Sequence, residues 1–152
     1  MLGSLDDKLC LCDWQVERHR DHVDNRLRRL LDAEFFDGSS AVIDTAIAQL
    51  DEYFAGTRRE FDVQILFAGT DFQKKVWDAL LTIPFGNTVS YREIARRIGM
   101  PKAVRAVANA NGANSISIFV PCHRVIGSDN TLTGYGGGLA AKEFLLKLEK
   151  AI

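Results

Sequence analysis

The chain has 152 residues, 47% of them hydrophobic and 26% charged, with a net charge of −1 at neutral pH. That is enough apolar material for one domain or two small ones. No apolar run approaches the ~18 residues of a membrane span, and the N-terminus has no signal-peptide pattern, so a cytosolic protein, or a nuclear one in a eukaryote, is expected. Three cysteines, an odd count, argue against a disulfide framework.

The near-zero charge hides an asymmetry. Residues 1–70 hold 8 Lys and Arg against 14 Asp and Glu, a net of −6; residues 71–152 hold 11 against 6, a net of +5. Only the second half suits an anionic partner, and a phosphate backbone is one such partner.

In chain order, an Asp6-Asp7 turn precedes a strand over Lys8–Trp14. A helix over Val16–Leu31 carries Val23, Leu27, Leu30 and Leu31 on one face. Ser40 caps a second helix with a stripe of Ile43, Ile47, Leu50 and Phe54, stopped by Gly56. Phe61 to Ile65 alternates as a strand does. Thr70-x-x-Gln73 is a capping box opening a helix with Phe72, Val76, Leu80 and Ile83 on one side, and Ser90-x-x-Glu93 is a second. That second helix runs to Gly99. Pro101 starts the next helix, which ends near Asn111-Gly112 and completes a helix-turn-helix. A last helix follows Gly138 and ends near Lys150. The expected fold class is α+β. A small N-terminal sheet-plus-helix domain covers residues 1–68, and a helical C-terminal winged-helix-like or helix-turn-helix domain covers residues 69–152.

Cys10 and Cys12 lie near His19 and His22. Cys-x-Cys is an unusual zinc spacing, and the reading preferred is two strand cysteines and two histidines on a helix surface. The helix Pro101–Ala110 is rich in alanine where a major-groove reader carries Gln, Asn or Arg. Small side chains let a helix backbone approach DNA closely; an Ala-rich helix packed inside the protein is the equal alternative.

The most informative segment is Pro121-Cys122-His123-Arg124-Val125. Most isolated cysteines are inert core residues. Cys122, however, stands where the apolar run Ile116–Val120 stops and has an imidazole beside it, which nucleophilic thiol chemistry needs. Downstream, Thr133–Gly138 is a glycine-rich loop whose amides can approach a ligand.

These residues join an ordered series: Gly69–Gln73 with Val76-Trp77, Val89-Ser90-Tyr91, Ala103–Val107, Asn111–Asn114, Pro121–Val125, Gly134-Tyr135, Gly137–Leu139, Lys142 and Leu145–Glu149. With this series the chain resembles the O6-alkylguanine-DNA alkyltransferases. The spacing holds from Thr70 to Glu149, about half the chain; the N-terminal half is a weaker match, and an edge strand common at the start of the family is expected to be missing.

The resemblance implies repair of O6-alkylguanine in double-stranded DNA by single-turnover transfer of the alkyl group to Cys122, with O4-alkylthymine a secondary substrate. It implies no cofactor or metal, no membrane partner and a monomer. His123 and Glu149 form a relay that takes the thiol proton and lowers its pKa. Tyr91 donates its hydroxyl to the base, the Cys122 and Val125 carbonyls accept from the exocyclic amine, and the Gly136 amide holds O6. Asn114 braces the turn before the nucleophile.

The resemblance further implies that the Ala-rich helix enters the minor groove through Lys102, Ala103, Val104, Arg105, Ala106 and Ala108. Arg105 fills the stack left by a flipped nucleotide, a role suited to a flat guanidinium. Three other readings fit the sequence less well. A non-catalytic alkyltransferase-like lesion-binding protein lacks the nucleophile that Cys122 supplies. A plain winged-helix regulator leaves the Cys122 segment and Glu149 unexplained. A cysteine hydrolase leaves Arg105 without a role.

Overall fold

A computed structural model describes the backbone of residues 1–152 and every side chain except those of residues 17–19. The chain opens with a hairpin, β1 (Leu2–Leu5) and β2 (Lys8–Cys12), paired antiparallel through an Asp6-Asp7 turn. Both turn residues have positive φ, 51° and 62°, the backbone a tight two-residue hairpin requires and one that Asp tolerates. One strand, β1, thus precedes the Leu9 segment and lies beside it.

The outer edge of β2 serves two segments. Leu9 exchanges backbone hydrogen bonds with Gln64 and Leu66, and Cys12 does so with Ser115 and Ser117, all at 2.7–2.9 Å. The strand expected at 61–65 shrinks accordingly to a single bridge at Ile65. Phe61 and Val63 are spent on packing against the core instead of on a ladder.

Helix α1 (Glu17–Leu31) buries Val23 and Leu27 but turns Leu30 outward. Helix α2 (Ala41–Phe54) is capped by Ser40, whose hydroxyl accepts from the Ile43 amide. Its buried face is Ala46, Gln49 and Tyr53; Ile47 and Phe54, placed on the inner stripe by periodicity, are 45% and 42% exposed. The stripe is rotated by one residue because Tyr53 and Gln49 find polar partners, the buried Glu149 and the Asp62 carboxylate.

The Thr70–Gln73 capping box forms in both directions and opens α3 (Asp71–Leu80). At Ser90 only half of the expected box forms. Its hydroxyl accepts from the Glu93 amide, while the Glu93 carboxylate pairs with Arg96 and Arg97. Helix α4 (Tyr91–Arg97) and helix α5 (Val104–Gly112) make the helix-turn-helix, with Gly99 at φ 75° in the turn between them. Pro101 and Lys102 lie in that turn, not in the helix, and Ala103 is the N-cap residue. Trp77 on α3 donates its indole N–H to the Ala110 carbonyl (2.8 Å) and fixes the end of α5.

A short parallel pair, β3 (Val89–Ser90) with β4 (Val125–Ile126), sets the start of α4 beside the cysteine segment. Helix α6 (Leu139–Leu148) closes the chain. One apolar cluster gathers Leu9, Cys12 and Ala46 from the first half with Val76, Trp77, Leu80, Ile94, Val107, Val120 and Val125 from the second. The result is α+β. No described helix is long and apolar enough to cross a membrane.

Candidate active site around Cys122

Cys122, His123 and Arg124 form a single 3-10 turn between the Ile116–Val120 run and β4. The run itself turns sharply, with Ile118 at φ 73° and the Val120 amide bonded back to the Ile116 carbonyl. A β-branched residue in the left-handed region is strained, and here it is held by burial among Tyr53 and Leu145. The thiol emerges at the inner end of this turn and is only 4% exposed.

Two asparagines one helical turn apart hold the cysteine. Asn114 Nδ2 donates to the Val120 carbonyl (2.9 Å) and to Cys122 Sγ (3.2 Å), while its Oδ1 accepts from the Ile116 amide (3.0 Å). Asn111 Nδ2 donates to the Cys122 carbonyl (3.3 Å). Asn114 thus braces the turn, as expected, and also touches the sulfur.

His123 is fully buried, and its Nε2 lies 2.8 Å from Glu149 Oε1. A carboxylate only accepts, so Nε2 carries the proton and Nδ1 presents a lone pair. Among the described residues Nδ1 has no hydrogen-bond partner. Glu149, 2% exposed, is gripped from three sides: by His123, by Arg124 through two bonds of 2.9 Å, and by the Tyr53 hydroxyl (2.7 Å). Burial opposes its charge, but the hydrogen bonds from His123 and Arg124 outweigh that and hold its carboxyl down at about 2. Arg124 also donates to the Ile83 carbonyl (2.6 Å) and sits over the Phe85 ring.

The sequence named His123 and Glu149 but passed over Tyr53 and Arg124. A basic residue after His and a tyrosine on a distant amphipathic helix carry no local signal of a shared carboxylate.

Burial drives the thiol the opposite way from expectation. It is pushed up to about 11 by desolvation, against the lowering effect of the Asn114 hydrogen bond and of the Lys142 charge. The resting state is therefore a neutral thiol, not a stored thiolate. Burial also lowers the His123 pKa, with Glu149 opposing, so the imidazole rests neutral as well. Lys142 is fully buried and donates to the Val125 (2.6 Å) and Thr133 (2.8 Å) carbonyls, and burial lowers its pKa to about 8.

A cavity of about 550 Å³ opens onto the thiol. Its walls include Tyr91, Asn111, Asn114 and the loop Thr133–Gly136; Trp14, His22 and Arg26 from the first half face them. Tyr91 donates its hydroxyl to the Thr133 carbonyl (3.0 Å). The Val125 carbonyl is engaged by Lys142. Gly136 has open space where a Cβ would stand, so nothing steric requires glycine there. Gly137 has none, because the Trp14 indole lies 2.6 Å from that point.

In the turn before α5 Lys102 is exposed and the N-cap Ala103 half-buried; on α5 itself Arg105 and Ala106 are exposed, Val104 and Ala108 are half-buried, and Val107 and Ala110 face the core. One face of this helix packs against the core and the other is free, so it is not wholly inside the protein. Cys10 and Cys12 are buried strand residues in separate apolar clusters, and His22 is exposed. The His19 side chain lies outside the described residues. Among the described residues no three His, Cys, Asp or Glu groups gather as metal ligands.

Residues 71–151 match the family profile described as 6-O-methylguanine DNA methyltransferase, DNA binding domain. The methylated-DNA–protein-cysteine methyltransferase of Mycobacterium tuberculosis is 61% identical over 106 residues, 70% of this chain and 64% of that protein. The protein of the same description from Methanosarcina barkeri is 49% identical over 133 residues, 88% of this chain and 84% of its own length. The chain thus aligns with just under two thirds of the mycobacterial relative's length. The crystal structure of M. tuberculosis OGT in complex with DNA superposes with a TM-score of 0.84 at 46% identity, covering 99% of this chain and 85% of that one.

Proposed function

The chain belongs to the 6-O-methylguanine DNA methyltransferase family, and from that premise we propose that it repairs O6-alkylguanine in duplex DNA by moving the alkyl group onto its own Cys122. The observation that carries this reading is the Cys122 thiol, held by Asn114 in the wall of a cavity wide enough for a base and set in the same turn as the buried His123–Glu149–Arg124 network. The division of labour falls at Ala68-Gly69, with DNA binding and transfer in residues 69–152.

The flipped base enters between Tyr91 and the Thr133–Gly136 loop. Flipping costs a few kcal/mol and is easiest for a poorly paired lesion. His123 Nδ1, its lone pair free, takes the thiol proton through a bridging water, while Glu149 stabilises the imidazolium that results. The sulfur attacks the alkyl carbon and a C–S bond forms. The C–O6 bond breaks with its electron pair going to guanine, which takes a proton at N1. Tyr91 donates to the base, the Cys122 and Val125 carbonyls accept from it, and the Gly136 amide stabilises O6 as charge develops there. A thioether has no route back to a thiol here, so each molecule acts once.

Helix α5 presses its free face into the minor groove, with Ala103, Val104, Ala106 and Ala108 permitting close approach, Lys102 near phosphate and Arg105 filling the gap in the stack. The protein works as a monomer in the cytoplasm or nucleus. Cys122 itself speaks against the alternative of a lesion-binding protein without transfer.

The test is incubation with duplex DNA carrying O6-methylguanine, followed by mass spectrometry of the Cys122 peptide. One added methyl group per chain, reaching a plateau and absent from Cys122→Ser, is the expected result. Turnover beyond one group, or methylation at Cys10 or Cys12, would falsify the mechanism.

A further inference from the structure

Asn111 is 3% exposed, and its Oδ1 is a buried acceptor with no partner among the described residues. Its orientation follows from its neighbour. Nδ2 lies 3.3 Å from the Cys122 carbonyl, which can only accept, so the nitrogen must face Cys122 and the oxygen must face away. Asn111 lines the cavity that holds the thiol, alongside Tyr91 and the Thr133–Gly136 loop. An unpaired buried acceptor is costly, and the other lone acceptor of this kind in the site, His123 Nδ1, has a use in the proton relay.

We propose that Asn111 is a specificity-determining residue, and that its Oδ1 accepts a hydrogen bond from the exocyclic 2-amine of the alkylated guanine. This rests on the alkyl-transfer reading above. The base chemistry leaves one choice. Alkylation at O6 removes the N1 proton, so N1, N3 and N7 are all acceptors, and in a nucleotide N9 is bonded to the sugar. The 2-amine is then the base's only donor. An orphaned acceptor in this pocket can be satisfied by no other group on the lesion.

The amine has two hydrogens, and the site holds two acceptors joined by one amide, Asn111 Oδ1 and the Cys122 carbonyl. The Val125 carbonyl accepts from the Lys142 ammonium at 2.6 Å and keeps a second lone pair for the amine, so Asn111 Oδ1 adds to the carbonyl acceptors and does not replace them. O4-alkylthymine, which has no N3 proton and no amine, offers no donor at all. Asn111 therefore selects for the guanine lesion over the thymine one.

The experiment measures single-turnover methyl transfer to Cys122 from duplexes carrying O6-methylguanine or O6-methylhypoxanthine, which differ only in the 2-amine. The wild-type protein is expected to prefer O6-methylguanine about ten-fold, the scale of one hydrogen bond to a buried partner. Asn111→Leu is expected to lose about ten-fold on O6-methylguanine and little on O6-methylhypoxanthine, so the preference collapses. A purely structural role would slow both substrates alike and leave the ratio intact. Asn111→Ala carries the same comparison without added bulk.

Equal wild-type rates on the two lesions overturn the proposal with no variant needed. An unchanged preference in both variants overturns it too. Absence of any methyl on Cys122 from either duplex instead overturns the alkyl-transfer reading on which it rests.

Discussion

The Tyr53 hydroxyl donates a 2.7 Å hydrogen bond to Glu149 Oε1, joining α2 to the end of α6 across 96 residues. The carboxylate that orients His123 is thus held partly by the half of the chain that carries none of the expected chemistry. Tyr53 is 1% exposed and stacks edge-on to Phe85, which Arg124 also covers. Tyr53→Phe keeps the ring and removes only the donor. It is expected to cost about 1.5–3 kcal/mol in a urea titration, the range for a hydrogen bond to a charged group. Alkyl transfer should slow while duplex binding, measured by fluorescence anisotropy, stays unchanged.

Glu149 gives the acid limb of the stability profile. Its folded carboxyl, at about 2, lies below the ordinary 4.5, so the unfolded chain binds the proton more readily. The stabilisation is complete above pH 4.5 and is lost as pH falls toward 2, on the order of 3 kcal/mol in all. His123 acts in the same direction at higher pH. Its lowered pKa means that the unfolded chain takes up that proton first as pH drops below about 6.5. Thermal melts from pH 7 to 2 should show this loss, and Glu149→Gln should flatten the part below pH 4.5.

With its thiol pushed up to about 11, Cys122 is expected to react sluggishly with iodoacetamide in the native protein. At pH 8 the unfolded chain, with an ordinary thiol pKa of ~8.5, should be labelled at least about ten-fold faster. Transfer from lesion DNA depends instead on the relay. His123→Ala should lower that rate by roughly 10²–10⁴-fold with little change in DNA affinity.

Arg105 is exposed on the free face of α5. Arg105→Ala is expected to impair repair of duplex DNA strongly and reaction with free O6-benzylguanine only slightly, because the free base needs no flipping. Arg105→Lys should rescue little, since it restores charge without a stacking plane. An equal loss on both substrates would assign Arg105 to the pocket.

Local signals read well in this sequence. Thr70-x-x-Gln73 formed its full capping box, Ser40 its cap, and Gly99 the turn between α4 and α5. Each rests on neighbours within a few residues. What failed was decided at a distance. The inner face of α2 turned by one residue because Tyr53 reaches Glu149 and Gln49 reaches Asp62. The 61–65 strand had only β2 to pair with, and β2 divides its edge between residues 64–66 and 115–117. That Cys122 and His123 share one turn was legible from their adjacency. The thiol's direction of shift was not, because burial is a property of the whole core.

The chain contains two tryptophans, and they stand in contrasting places. Trp77 is buried and tied to the Ala110 carbonyl. Trp14 is half-buried, donates to the Tyr135 hydroxyl at 3.0 Å, lies flush against Gly137 and lines the cavity above the thiol. Any movement of the 133–138 loop that admits a ligand must change the surroundings of the Trp14 indole while leaving those of Trp77 alone. The molecule therefore carries its own optical gauge: with one emitter at the mouth and a second as a constant background, filling of the pocket can be followed in real time without a label.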